Sequence, residues 1–340
     1  MRLLMTCLLS FWFLGCSKGG DSGSGTTDVG PSNLSVTPTV STDNSGNVSF
    51  IATATNAVSY EYDFGNGQYQ NSTTGLVTYK YTASGTYTIT VKAKSSTGKT
   101  ISAATNVTIV VALSLIWSDE FNTAGAPDAS KWGYDIGAGG WGNSELQYYT
   151  NRTDNVLVSN GTLKIIAKKE AYSGSSYTSA RLLSKGKFSF QYGKVEISAK
   201  LPGGIGTWPA IWMLGDNFTT AGWPTCGEID IMEQKGSDMN RIYNTLHYLG
   251  NSGGSAIGTS YLIDNVTTGF HKYGLIWTSA SLQFLVDDVV RYTFVNANNL
   301  PFNQKFFLIL NMAMGGNFGG PIDPLFTSAT LEIDYVRVYK

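Results

Sequence analysis

Glu228-Ile229-Asp230-Ile231-Met232-Glu233 places three carboxylates in six residues, with an apolar residue in every gap. The chain holds only 24 acidic residues among 340, so this grouping is dense. Alternation is the period of a β-strand, whose side chains point to opposite faces in turn. The isoleucines then face a core, while Glu228 and Asp230 share the other face. Glu233 breaks the pattern, because on a regular strand it points the other way. It rejoins the first two acids if one extra residue is taken up after Asp230, as in a β-bulge. Bulges re-aim side chains and are common beside active sites. The same residues also describe an ordinary strand with a wet acidic face, and six positions do not separate the two.

Working outward, the composition predicts an all-β chain. Hydrophobic residues make up 42%, enough for a sizeable core, and charged residues only 14%. The chain is rich in Tyr, Thr, Val and Gly, which suits strands and turns. Alternating runs recur at Tyr87–Ala93, Thr162–Lys168 and Lys187–Leu201. Further strands fit residues 242–248, 271–277, 282–287, 289–295, 305–313 and 330–339, with Asp287-Asp288 as a tight hairpin turn. No segment shows a sustained helical period. Net charge is −1 with no long basic run, which excludes an electrostatic nucleic-acid footprint.

The first residues read as targeting sequence. Arg2 precedes an apolar run, Leu3–Leu14, too short to span a bilayer. Phe13-Leu14-Gly15-Cys16 resembles a bacterial lipobox, which implies lipidation of Cys16 and a membrane tether. An outer-membrane or cell-surface lipoprotein is expected, with a plain secretory signal as the other reading. Residues 17–33 read as a flexible linker of Gly, Ser, Thr and Asp. Cys226 is then the only cysteine of the mature body, so neither an internal disulfide nor a cysteine metal site is expected. It reads as a small buried filler beside Glu228, not as a nucleophile.

Two domains follow. Over 34–112, short strands alternate with turns at Asp43-Asn44-Ser45-Gly46, Gly65-Asn66-Gly67 and Ser84-Gly85, predicting a small β-sandwich. Tyr60–Gly67, Tyr79-Lys80-Tyr81 and Ser84–Val91 resemble a PKD domain, an immunoglobulin-like module of secreted bacterial enzymes, with Asn66 where Asp is usual. That resemblance implies an accessory module without catalysis. Over 113–340 the runs predict a large antiparallel β-sandwich of jelly-roll type, whose concave face suits a polymer.

Paired carboxyls can hydrolyse a glycosidic bond. One protonates the leaving oxygen, and the other attacks the sugar or activates water. Glu228 and Glu233 lie about 13–16 Å apart by Cα at about 3.3 Å per residue, close enough for the side chains to lean together. Both a retaining and a wider inverting spacing remain open. Like charges held close raise one pKa, which would supply an acid and a nucleophile together. Trp141, Trp208, Trp212 and Trp223 precede the acidic strand. Each fits a core position or a sugar platform, and His247 has the same ambiguity.

Gly227-Glu228-Ile229-Asp230-Ile231-Met232-Glu233, preceded by Trp223-Pro224, resembles the signature of glycoside hydrolase family 16. The two residues between Asp230 and Glu233 match its laminarinase-like branch; mixed-linkage lichenases lack the extra one. Trp117–Asn122, Trp141–Thr150, Thr178–Arg181, Gly203–Met213, Thr245–His247, Asn311–Asn317 and Ile333–Tyr339 match in order. The resemblance implies Glu228 as nucleophile, Glu233 as acid/base, and Asp230 as the residue that holds Glu228 in place and modulates its charge. It implies Asn143, Arg181, Trp208, Trp212 and His247 as residues that hold sugars. It implies no cofactor for catalysis, but a structural Ca²⁺ on Glu120, the Gly161 carbonyl and Asp334; the first and last also read as plain surface acids. A monomeric, retaining endo-β-1,3-glucanase acting on laminarin-like β-glucan is the expectation. Mixed-linkage glucan, a marine galactan or a non-catalytic carbohydrate-binding jelly roll are the alternatives. Phe318-Gly319 stands where many laminarinases have Trp-Pro, which touches linkage preference.

Overall fold

The computed structural model describes residues 29–340. The expected signal segment, Cys16 and linker residues 17–28 lie outside the described residues. The chain divides into two compact units, one ending at Ala112 and the other running Leu113–Lys340.

The first unit is a seven-stranded sandwich. Ser32–Val40, Asn47–Thr55 and Leu76–Lys80 form one sheet. Tyr69–Ser72, Ser59–Asp63, Gly85–Lys94 and Thr100–Ile109, in that spatial order, form the other. Period-two alternation sets the faces: Val48, Phe50 and Ala52 are buried, while Ser49 and Ile51 between them are exposed. The Asp63–Gly67 turn is held from both sides. Gly65 N–H donates to Asp63 Oδ1 at 2.9 Å. The Asn66 side-chain amide donates to the Tyr79 hydroxyl at 3.0 Å, a bond that a carboxylate could only accept. The buried Tyr81 hydroxyl donates to Phe64 O at 3.0 Å.

The second unit packs a ten-stranded sheet on a seven-stranded one. The seven-stranded sheet runs Ile257–Leu262, Asp238–His247, Glu228–Lys235, Thr207–Gly215, Phe306–Met314, Arg181–Leu183, Gly133–Tyr134. The acidic stretch is therefore an interior strand. Its Ile229, Ile231 and Met232 join Ile211, Met213, Leu308 and Leu310 in a core shared with Leu163, Ile197, Leu275 and Val336 of the opposing sheet. Each such side chain stabilises the fold by about 1.5–3 kcal/mol when fully buried. Phe306–Met314 is buried at all nine positions, with one face in that core and the other under the cleft. Asp287 and Asp288 have φ of 51° and 64°, the two left-handed residues of a type I′ hairpin turn.

One expected strand is shorter than its pattern. Lys187–Leu201 reads as continuous, yet the strand begins only at Gly193 and ends at Lys200. Gly193 has φ 122°, and a Cβ there would lie 2.2 Å from the Tyr339 carbonyl oxygen. The chain turns at this glycine, and the segment before it makes only a bridge between Phe190 and Phe306.

Candidate active site

The acidic strand carries a bulge. Trp212 opposes Asp230 and Ile211 opposes Met232, leaving Ile231 as the extra residue. On the other side Asp230 opposes Thr245 and Glu233 opposes Tyr243, with the same register shift. Glu233 thereby rejoins Glu228 and Asp230, and all three line one cleft of about 760 Å³. Such a volume suits part of an oligosaccharide.

Each carboxylate has its own partners. Trp223 Nε1–H donates to Glu228 Oε2 at 2.9 Å. Trp208 Nε1–H donates to Glu233 Oε1 at 3.0 Å, and the Thr245 hydroxyl to Glu233 Oε2 at 3.1 Å. Asp230 Oδ2 is buried and takes no well-aligned hydrogen bond. His247 Nε2 stands 3.3 Å from it and 3.7 Å from Glu228 Oε1. Gly253 N–H donates to His247 Nδ1 at 3.1 Å, which leaves the neutral ring's proton on Nε2, aimed at the carboxylates.

That tautomer bears on a second reading. One oxygen each of Glu228 and Asp230 and one His247 nitrogen lie within 4.8 Å of one another, a spacing that could hold a metal ion. A ligating histidine donates its second N–H to an acceptor. Here the second nitrogen is itself the acceptor, so the ring presents a donor to the carboxylates. The donor set does not fit a metal.

Burial lifts all three acids. Glu228 is pushed up to about 8, by burial and then by the Asp230 charge, against the pull of His247 and the Trp223 hydrogen bond. Asp230 lies well above its ordinary range through burial and the Glu233 charge. Burial raises Glu233 too, opposed by the bonds from Trp208 and Thr245, by the neighbouring His247 and by the Lys235 charge. Three neighbouring carboxylates cannot all ionise cheaply, so the cluster retains a proton at neutral pH. A proton on Asp230 removes the second cause of Glu228's rise and returns Glu228 toward the ionised form. The cleft can therefore hold a proton donor and an anionic nucleophile a few residues apart.

The structure places Asn143, Arg181, Trp208, Trp212 and His247 on the walls of this cleft, with Trp141 and Trp223. Arg181 is 3.0 Å from Asp135 and lies over the rings of Trp141 and Trp212, at 5.1 and 4.8 Å. Trp132 and Trp277 are the core tryptophans. His271 pairs with Asp287 at 2.7 Å, away from the cleft, at the hairpin turn of the other sheet. Cys226 is buried against Leu214 and Phe307, and burial pushes its thiol up to about 11, so it is packing.

Two cleft residues were not among the expected ones. Glu145 is buried and accepts from Gln147 Nε2 at 2.6 Å and from the Tyr149 hydroxyl at 3.1 Å. Asn311 accepts from Trp212 Nε1 at 2.7 Å and donates to that same hydroxyl at 3.0 Å. The chain of bonds ties Trp212 to the loop bearing Asn143. Gly316 lets another loop approach: a Cβ there would lie 2.8 Å from Asn143 O. Both residues sit in motifs quoted above, but nothing local in them signals a cleft position.

The expected calcium ligands lie along one edge of Ser328–Tyr339. Along that edge Leu163–Lys168 pairs with residues 328–333, and residues 115–119 with 336–339. Gly161 and Glu120 flank the interval between, where Asp334 and Tyr335 fall. Asp334 is the extra residue of a bulge, since Tyr335 opposes Ser198 and Ile333 opposes Ala199. Arg337 donates to both Glu120 carboxylate oxygens, at 3.0 and 2.8 Å. With its carboxylate held by Arg337, Glu120 would have its main-chain oxygen for an ion, alongside that of Gly161 and the Asp334 carboxylate. Oxygen donors of this kind fit Ca²⁺.

A β-sandwich with a carboxylate-floored, tryptophan-walled cleft defines a class, the glycan-cleaving jelly rolls. The family model "Glycosyl hydrolases family 16" matches residues 143–337, and the chain belongs to that family. A second model, "Beta-glucan synthesis-associated protein SKN1/KRE6/Sbg1", matches residues 49–230 and stops short of Glu233. A beta-glucanase of Rhodothermus marinus is 46% identical over 242 residues, covering 66% of this chain and 85% of that protein. The solved laminarinase of Rhodothermus marinus is 46% identical with a TM-score of 0.65, covering 67% of this chain and 98% of that one. A substituted LamA of Z. galactanivorans, solved with laminaritriose and laminaritetraose, is 44% identical with a TM-score of 0.63, covering 67% and 99%.

Proposed function

We propose that the chain is a retaining endo-β-1,3-glucanase of laminarinase type. The bulged strand that turns Glu228, Asp230 and Glu233 into one cleft carries this reading. The 46% identity to a laminarinase supports the substrate class. In the first step the Glu228 carboxylate attacks the anomeric carbon while Glu233 gives its proton to the glycosidic oxygen, and the leaving glucan departs. In the second, Glu233, now a carboxylate, takes a proton from water. That water attacks the same carbon from the opposite face and frees Glu228, so the two inversions give retention. Asp230 modulates the charge of Glu228, and His247 presents its Nε2–H to both carboxylates. Asn143, Arg181, Trp208 and Trp212 hold the sugars. No cofactor takes part.

The test compares reducing ends released from laminarin, lichenan and agarose. Laminarin is expected to be the best substrate. Preference for lichenan or agarose reassigns the linkage, and no release from any of them sinks the enzyme reading.

The remaining parts of the reading rest on sequence and local geometry. The first unit is a PKD-like accessory module, supported by its two-sheet sandwich and the Tyr81–Phe64 closure. The protein works as a monomer, exported and tethered to the outer membrane or cell surface through lipid on Cys16. Among the described residues no helix is long and apolar enough to cross a membrane. Cys16→Ser is expected to move the protein from the membrane to the soluble fraction; unchanged membrane retention removes the anchor.

Calcium, held by the Glu120 and Gly161 main-chain oxygens and the Asp334 carboxylate, would tie the terminal strand to its two neighbours. At about 100 times its dissociation constant a native-state ligand stabilises by about 2.7 kcal/mol. EDTA is therefore expected to lower Tm by about 5–10 °C and Ca²⁺ to restore it. A Tm indifferent to both refutes the site.

A further inference from the structure

Phe318 joins three residues around Glu233. Its ring lies 5.1 Å from that of Trp208, the donor to Glu233. It meets Tyr243, the cross-strand partner of Glu233, edge-on at 5.0 Å. The Lys235 ammonium sits 4.3 Å from the Phe318 centroid and 5.1 Å from that of Tyr243. Cations are attracted to ring faces at such distances. The backbone beside Lys235 has little freedom. Gly236 N–H donates to Thr207 O at 2.9 Å, and a Cβ on Gly236 would lie 1.7 Å from Gly204 O. A long, ordinarily mobile side chain is thus clasped by two rings, two residues beyond Glu233.

We propose that Lys235 is a positioning residue for the acid/base, its ammonium held on Phe318 and Tyr243 so that a fixed positive charge faces Glu233. This rests on the reading of Glu233 as the acid/base. The charge stabilises the Glu233 carboxylate that forms as the leaving oxygen takes its proton, and that the second step uses as a base. It also pulls against the burial that raises Glu233.

Other charges face Glu233 as well. Glu228 and Asp230 lie on its own strand, and Tyr243 and His247 on one neighbour, whose exposed start also carries Asp238, opposite Lys235, paired at 2.7 Å with Arg241. The other neighbour, Thr207–Gly215, brings no titratable group. Glu145 and Arg181 stand further across the cleft. Lys235 is the cation nearest to Glu233 along its own strand, and substituting it leaves the rest of the cluster in place.

The experiment is the pH profile of kcat/KM on laminarin, whose basic limb reports loss of the acid's proton in the free enzyme. Lys235→Met removes the cation, so Glu233 keeps its proton to higher pH. The limb is expected to move up by about half a unit to one unit, the effect of one partly screened charge. Lys235→Arg is expected to keep the parent limb. Phe318→Leu keeps the charge but loosens it, and is expected to shift the limb upward by less. A Lys235→Met limb at or below the parent's overturns the proposal, whatever happens to overall rate or Tm. Glu233→Ala, assayed with azide on an aryl β-glycoside of laminaribiose, separates the underlying reading. Recovery by azide with an unmoved Lys235→Met limb rejects Lys235 alone. No recovery rejects Glu233 as acid/base, and Lys235 with it.

Discussion

Glu228→Gln is expected to lower kcat on laminarin by about 10⁴-fold or more while leaving glucan binding in place. The amide keeps the shape of the side chain, and its oxygen can still accept from Trp223 Nε1, but it cannot form the glycosyl ester. Turnover is measured by reducing-end release, and binding by calorimetry with an uncleaved laminarin oligosaccharide. Near-normal hydrolysis would displace Glu228 as nucleophile.

The same substitution has a second expected effect. Burial holds the Glu228 carboxyl at about 8 in the folded chain, against an ordinary 4.5. A raised acid contributes stability below its unfolded pKa, and loses it as pH climbs toward the folded one. Between these values the unfolded carboxyls are deprotonated while the folded Glu228–Asp230–Glu233 cluster still holds a proton, so stability falls as pH rises. Removing the titration should therefore stabilise the variant at pH 7 by about 3 kcal/mol at most. That corresponds to roughly 6–12 °C in Tm for a unit of this size. The advantage should shrink toward pH 4.5. A variant less stable than the parent at pH 7 would contradict the burial argument.

Glu233→Gln is expected to reduce the rate on laminarin by about 10²–10⁴-fold, the usual size of general acid–base assistance. The loss should depend on the leaving group. A glucan chain leaves as a poor alkoxide and needs the proton, whereas a nitrophenolate does not. The first step with a nitrophenyl β-glycoside should therefore fall far less, and the glycosyl-enzyme should accumulate because water lacks its base. An equal loss on both substrates would assign Glu233 a structural role instead. Trp208 and Thr245 hold both Glu233 oxygens in the parent; the amide oxygen can still accept from Trp208 and its N–H can donate to the Thr245 hydroxyl, so the loss reports the missing proton and not a broken site.

Much of the site could be read from local pattern, because strand alternation is a local property. The isoleucines assigned the faces of Glu228–Glu233, and the odd interval before Glu233 required the bulge that Ile231 forms. The hairpin at Asp287-Asp288 was legible for the same reason. What could not be read depends on distant partners. Trp212 lines the cleft and Trp277 fills the core, though both are tryptophans on alternating strands. The difference is that Trp212 meets Asn311, 99 positions away, and Trp277 meets Phe302 O beneath the sheet. Glu145 sits among aromatic residues that look like packing, and only the fold brings Asn311 and Tyr149 beside it. The early end of the Gly193–Lys200 strand is likewise set by Tyr339, at the far end of the chain.

The extra residue in the acidic strand separates two properties that a regular strand binds together, how far apart two side chains stand and which way they face. Ile231 sits in the core and pairs with neither neighbour's register. Removing it would leave Glu228, Asp230 and the final glutamate at intervals of two, all on one face, with Met232 taking its place inward. The strand therefore works as an adjustable spacer. One inserted or deleted residue changes the contour between the modulating acid and the proton donor without rotating either out of the cleft. Substitution cannot make that adjustment, since it alters chemistry and leaves spacing alone. In this architecture a change in the length of a single strand is a route to a differently proportioned cleft.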